Sequence, residues 1–136
     1  RTAKLVQLAY PMSVTFHRAF DRVIDMAAAL EDVIGCGCER ILTSGMYPFA
    51  EEGRSNLAAL VEQAAGRIII MPGSGLRSVN IKLVAEATGA TEFHSSARSL
   101  TRNGMNYNNP LMNENQENIL VDSGEVKLML QKLNAC

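Results

Sequence analysis

"VTFHRAF", residues 14–20, is the stretch whose reading decides the fold. Its β-branched and aromatic residues suit a pleated, half-buried surface, so it reads as a short strand. His17 and Arg18 interrupt it near its end, and Asp21 follows. Successive strand side chains point to opposite faces. Thr15 and His17 therefore share one face, and Val14 and Phe16 share the other. In an open sheet covered by helices on both sides, strands are apolar throughout. One apolar and one polar face suit a barrel instead, with helices outside and an interior that opens at its top.

Three further runs resemble the first: "ERILTSG" at 39–45, "RIIIMPG" at 67–73 and "TEFHSSA" at 91–97. With "SVTFHRAF" at 13–20 they begin roughly 25 residues apart, close to the ~30 per unit of a barrel with eight βα units in ~250 residues. In the fourth run Glu92, His94 and Ser96 oppose Phe93, Ser95 and Ala97. Helical patterns fill the gaps. "DMAAALEDVIGCG" has Asp25 as a candidate N-cap and Gly35 or Gly37 as its stop. "SNLAALVEQAAG", 55–66, puts Leu57, Leu60, Val61 and Ala64 on one face. "SVNIKLVAEATG", 78–89, carries Val79, Leu83 and Val84. Strands alternating with such helices predict right-handed βαβ units and a parallel sheet. The segment 99–124 is Asn-rich and reads as a long surface loop. A last helix is expected over Glu125–Leu133, with Val126, Met129, Leu130 and Leu133 on one side.

Composition narrows the function classes. The chain has 136 residues, 47% hydrophobic and 20% charged, with a net charge of -1. That fits one globular domain spanning 1–136. It lacks the basic cluster of a nucleic-acid surface. No apolar run nears the ~20 residues of a membrane span, so neither nucleic acid nor membrane is an expected partner. "RTAKLVQLAY" has no apolar core or cleavage site of a signal peptide. It reads as the last turns of a helix, and Arg1 as an internal point of a longer protein. An odd cysteine count of three, with Cys36 and Cys38 one residue apart, argues against a disulfide framework and for a reducing, cytoplasmic compartment.

The candidate site lies at the strand C-termini, where parallel α/β proteins place their chemistry. The two histidines, His17 and His94, are both inward by parity and late in their strands; either one alone reads more readily as a bonded core imidazole, and the shared face is what favours a site. Both are candidate acid–base groups. Arg18 has the opposite parity and could brace a neighbouring loop through Asp21. Thr43 and Ser44 end the second strand. "MPGSG", 71–75, opens a βα turn; such a glycine-rich turn is usually only a turn, but Gly73 and Gly75 could let backbone N–H groups turn toward an anion such as phosphate or sulfate, and Arg98 could add charge there. Cys36 and Cys38 could hold Cu(I), but "GCGCERI" precedes a strand and belongs to the barrel bottom, where small residues at a tight turn explain it. The seven methionines show no ligand spacing and fit core filling. Cys136 has no assignable role.

Together, "VTFHRAFD", "RILTSG", "MPGSG" and "ATEFHSSAR" resemble the CutC copper homeostasis family, over residues 11 to about 107. The resemblance implies a TIM-barrel chain of about twice this length, of which the present residues would be the C-terminal half-barrel with about four βα units. It implies copper handling in the cytoplasm and sometimes the nucleus, assembly as a homo-oligomer (dimer or tetramer), and no well-established catalytic activity. His17, Arg18, Asp21, Thr43, Ser44, Gly73, Gly75, His94 and Arg98 match the family pattern; Ser74 stands where a third glycine is common. The cysteines proposed for copper belong to the family's N-terminal half. Three readings follow: a copper homeostasis protein, a barrel enzyme or binder of a phosphorylated small molecule using His17 or His94, and an interaction-only isoform.

Overall fold

Three short parallel strands carry the candidate site: β1 (Thr15–Phe16), β2 (Arg40–Thr43) and β3 (Ile69–Pro72), in the order β1-β2-β3. The computed structural model describes residues 1–102, 104–105, 107, 109–112 and 117–134. The helices are α1 (Thr2–Ala9), α2 (Met26–Gly35), α3 (Arg54–Ala64), α4 (Ile81–Thr88) and α5 (Ser123–Leu133). Short 3-10 turns span Arg18–Arg22 and Pro110–Met112. The chain is therefore α/β with a parallel sheet.

Register fixes which side chains share a face. Phe16, Ile41 and Ile70 lie side by side across the three strands. They pack against Leu30 and Val33 of α2 and Leu57, Leu60 and Ala64 of α3 in one core. Strand alternation puts Thr15, Arg40, Leu42, Ile69 and Met71 on the opposite face, where none is fully buried. There Arg40 pairs with Glu92, Nε to Oε2 at 2.5 Å.

Helix ends follow local chemistry. Asp25 caps α2, accepting from the Ala28 N–H at 3.0 Å, and Gly37 (φ 82°) turns the chain after the helix. The α3 face expected from the sequence is the buried one. Gly45 and Gly53 meet backbone to backbone after β2: a Cβ on Gly53 would lie 2.0 Å from the Ser44 carbonyl oxygen. Only glycine fits such an approach.

Four sequence expectations need correction. The first strand ends at Phe16, not Phe20, because the His17 ring Nδ1 accepts the Ala19 N–H at 3.1 Å and turns the chain into the 3-10 turn, which drives Phe20 into the core. The fourth strand, 91–97, survives only as a parallel bridge between Gly73 and His94. Past it, the Ser95 hydroxyl donates to the Leu76 carbonyl and accepts the Ala97 N–H, a local alternative to ladder pairing. The third helix begins at Ile81 rather than Ser78, because the Ser78 N–H and hydroxyl are held by Glu125 of α5 at 2.7 and 2.9 Å; Ile81 and Val84 face inward, and Val79 and Leu83 do not. Finally, 99–124 is not all loop. β4 (Arg98–Arg102) pairs antiparallel with β5 (Glu117–Val121), and Asp122 caps α5 two residues earlier than expected. Of the face foreseen on α5, Met129 is buried and Val126 and Leu133 pack beside it, whereas Leu130 is exposed.

Candidate functional site

Asp21 is the first fixed point. It sits in the 3-10 turn after β1, and its side chain is only 5% exposed. It accepts the Thr43 hydroxyl at 2.5 Å, the Ser44 hydroxyl at 3.0 Å, the Ser44 and Met46 N–H groups at 3.1 and 3.2 Å, and Arg18 Nε at 2.7 Å. Burial alone would raise its pKa; the hydrogen bonds from Thr43, Arg18, Met46 and Ser44 outweigh it and hold the carboxyl below its usual range. Thr43 and Ser44, both fully buried, therefore serve this carboxylate. Arg18 is carried along: a terminal nitrogen donates to Ser44 Oγ at 2.7 Å and to the Tyr47 carbonyl at 3.4 Å.

This joint aims Arg18 at a cavity of about 320 Å³ beyond the C-terminal ends of β2 and β3. Leu42, Ser74, Gly75, Leu76, Arg77, His94, Ser95, Ser96 and Arg98 complete its wall. Gly73 lies beneath it, where an added Cβ would press on Leu42 Cδ1 at 2.5 Å and His94 Cβ at 3.3 Å. Gly75 has φ +71° and lies against Phe49, which an added Cβ would meet at 2.7 Å. Of the residues read from the sequence, the structure gathers Arg18, Gly75, His94 and Arg98 on one cavity, supported from below by Asp21, Thr43, Ser44 and Gly73. His17 is not on its wall; it caps the turn. Arg77, Leu42 and Ser96 were not named beforehand as site residues. The parity shared by His94 and Ser96 was a usable signal for Ser96, whereas nothing in the sequence separated Arg77 from any helix-leading arginine.

Cys36 follows α2 and Cys38 precedes β2, at the opposite end of the sheet, and both thiols are free. Burial, with Cys36 and Glu39 beside it, pushes the Cys38 thiol above its ordinary value. Cys38 is buried and Cys36 half-buried. Among the described residues no three or more His, Cys, Asp or Glu side chains group as a metal site. Cys136 lies outside the described residues. Nor is any described helix long and apolar enough to cross a membrane.

Comparison with known proteins places the chain in a family. The model of the CutC family matches residues 1–99. A CutC family protein of Chromobacterium violaceum is 52% identical over 107 residues, 79% of this chain and 43% of its own. Copper homeostasis protein cutC homologs of Mus musculus and Homo sapiens are each 50% identical over 105 residues, 77% of this chain and 39% and 38% of theirs. The chain thus spans about two fifths of the length of the curated relatives it matches. The crystal structure of a CutC protein from Streptococcus agalactiae superposes with a TM-score of 0.60 at 28% identity, over 68% of this chain and 48% of that one. Every residue of the cavity wall falls within the matched 99 residues, and the chain belongs to the CutC family.

Proposed function

We propose that the chain works in copper homeostasis, as its relatives of Mus musculus and Homo sapiens are named to do, and that its own contribution is to bind a small organic molecule at the strand C-termini rather than to coordinate the metal. The observation that carries this reading is the make-up of the cavity wall. Arg18, Arg77, Arg98 and His94 converge there with no carboxylate or thiol among the wall residues. Cationic walls repel a metal cation and attract an organic ligand with acceptor groups. In this reading the three strands and the His94 bridge are part of a larger βα barrel, the C-terminal half that the sequence suggests, and the face bearing Leu42 and His94 is its interior. The likeness to the Streptococcus agalactiae structure, which covers 48% of that chain, supports the larger frame. The cytoplasm is the compartment that fits two free thiols.

Equilibrium dialysis with Cu(I), run beside a thermal-shift panel of phosphorylated, carboxylated and neutral small molecules, tests it. A stabilising small molecule that is lost on His94→Ala supports the reading. Stoichiometric Cu(I) with no small-molecule response overturns it.

A second reading is favoured by one observation: the His94 ring makes no hydrogen bond among the described residues while forming part of the wall. Such an imidazole is free to carry a proton to or from a bound molecule. His94→Gln would then retain binding and lose turnover.

A further inference from the structure

The polar groups of this cavity are unevenly filled. The turn 74–76 has its carbonyls occupied: the Ser74 oxygen accepts the Ala50 N–H at 3.0 Å, the Gly75 oxygen accepts Asn80 Nδ2 at 3.1 Å, and the Leu76 oxygen accepts the Ser95 hydroxyl at 2.7 Å. The Arg98 carbonyl accepts Arg77 at 2.6 Å. The N–H groups of Gly75, Leu76, Ser95 and Ser96 have no acceptor among the described residues. The same holds for the Arg98 guanidinium. Arg18 has its charge offset by Asp21, but neither Arg77 nor Arg98 has a carboxylate partner among the described residues.

Unfilled amides beside two guanidiniums with no carboxylate partner leave a wall rich in donors, while the His94 ring and the Ser95 and Ser96 carbonyls have no donor among the described residues. Backbone donors in this situation are satisfied by water or by a ligand that only accepts. A dianionic oxyanion brings acceptors only, and guanidiniums with backbone N–H groups are the groups that hold one. We propose that the cavity between the 74–76 turn and Ser96–Arg98 is an oxyanion site that takes the phosphate group of a small phosphate monoester. Arg98 and Arg77 supply charge, the Gly75, Leu76 and Ser96 amides supply direction, and His94 faces the remainder of the molecule. This rests on the reading that the cavity binds a small organic molecule, and it specifies the class.

Inorganic phosphate is the probe. Titrated into the full chain at constant ionic strength, it should move the amide resonances of Gly75, Leu76 and Ser96 in a saturable way, while chloride does not. Arg98→Gln should weaken the affinity roughly tenfold, the loss expected for about one charge-assisted contact. Arg98→Lys, which keeps the charge and loses the fork, should fall between, and it serves if the glutamine variant does not fold. Unmoved amides at tens of millimolar phosphate, or equal affinity in both variants, would overturn the site. A neutral compound that binds there while phosphate does not would overturn the oxyanion assignment and leave the small-molecule reading standing. Failure of every compound would remove both.

Discussion

Arg18 and Asp21 form the joint between the sheet and the cavity. Nε lies 2.7 Å from Oδ2, with the carboxylate 5% exposed and the guanidinium side chain 41% exposed. The buried member is fixed by β2 and its following loop, and the exposed member is what reaches the cavity. Position in sequence brings the two within one turn; the Thr43 and Ser44 hydroxyls decide which way they face.

Removing the carboxylate should therefore damage both stability and the cavity wall. Asp21→Ala leaves the buried Thr43 hydroxyl, the Ser44 and Met46 amides and Arg18 Nε without their acceptor, while the Ser44 hydroxyl keeps the Tyr47 carbonyl, and should cost about 3 kcal/mol. A lower urea midpoint with an unchanged slope is the expected result.

The same residue should be visible in acid. Its folded pKa lies below the unfolded value near ~3.9. Its stabilisation is therefore complete above about pH 4 and fades as the pH falls through the lower folded value. Glu31 acts in the same range, since hydrogen bonds from Arg67, and then Gln63, hold it at about 2. In a Glu31→Gln background, adding Asp21→Asn should flatten what remains of the acid arm of melting temperature against pH. An unchanged arm would show that Asp21 is not held low.

Two glycines should respond in opposite ways. Gly53→Ala forces a Cβ to within 2.0 Å of the Ser44 carbonyl oxygen and should destabilise by several kcal/mol, on the order of the worst overpacked cores. Gly35→Ala is helical with nothing within 4 Å of the new Cβ, and should stabilise by roughly 0.5–1 kcal/mol. Chemical denaturation of both variants checks the pair.

The exposed surface predicts self-association. Leu100, Ile119, Leu120 and Val121 on β4 and β5 are all exposed, and Leu42, Ile69 and Met71 are only half-buried. The chain alone should sediment as a dimer or tetramer. A single 14.8 kDa species with a cooperative melt would contradict this.

What the sequence made legible was where local pattern and tertiary packing agree. β2, β3, α2 and α3 were readable because alternation, an Asp cap and one apolar helix face point to the same core. β1 was misjudged in length because His17 acts through a ring nitrogen on its own backbone, a contact with no periodic signature. The 91–97 run kept its parity, with Glu92 reaching Arg40, yet lost its ladder to Ser95. The β4–β5 pairing was hidden because β4 is short and mostly polar, and the two strands lie apart in sequence. In the site, parity found His94 and glycine spacing found the turn. Arg18 was expected to brace Asp21 and does; that it also reaches the cavity depends on side-chain length, which parity does not encode. Which amides stay free depends on Asn80 and Ser95 taking the carbonyls, a three-dimensional fact.

We propose that any part this chain takes in copper homeostasis runs through a ligand cavity and not through metal coordination. The most direct measurement is an anaerobic Cu(I) titration of the reduced chain against a competing chelator of known affinity. The account predicts no stoichiometric uptake, and no difference between the unmodified chain and Cys36→Ser/Cys38→Ser. One equivalent of tightly held Cu(I), lost in that double variant, would contradict it and move the function to the opposite end of the sheet.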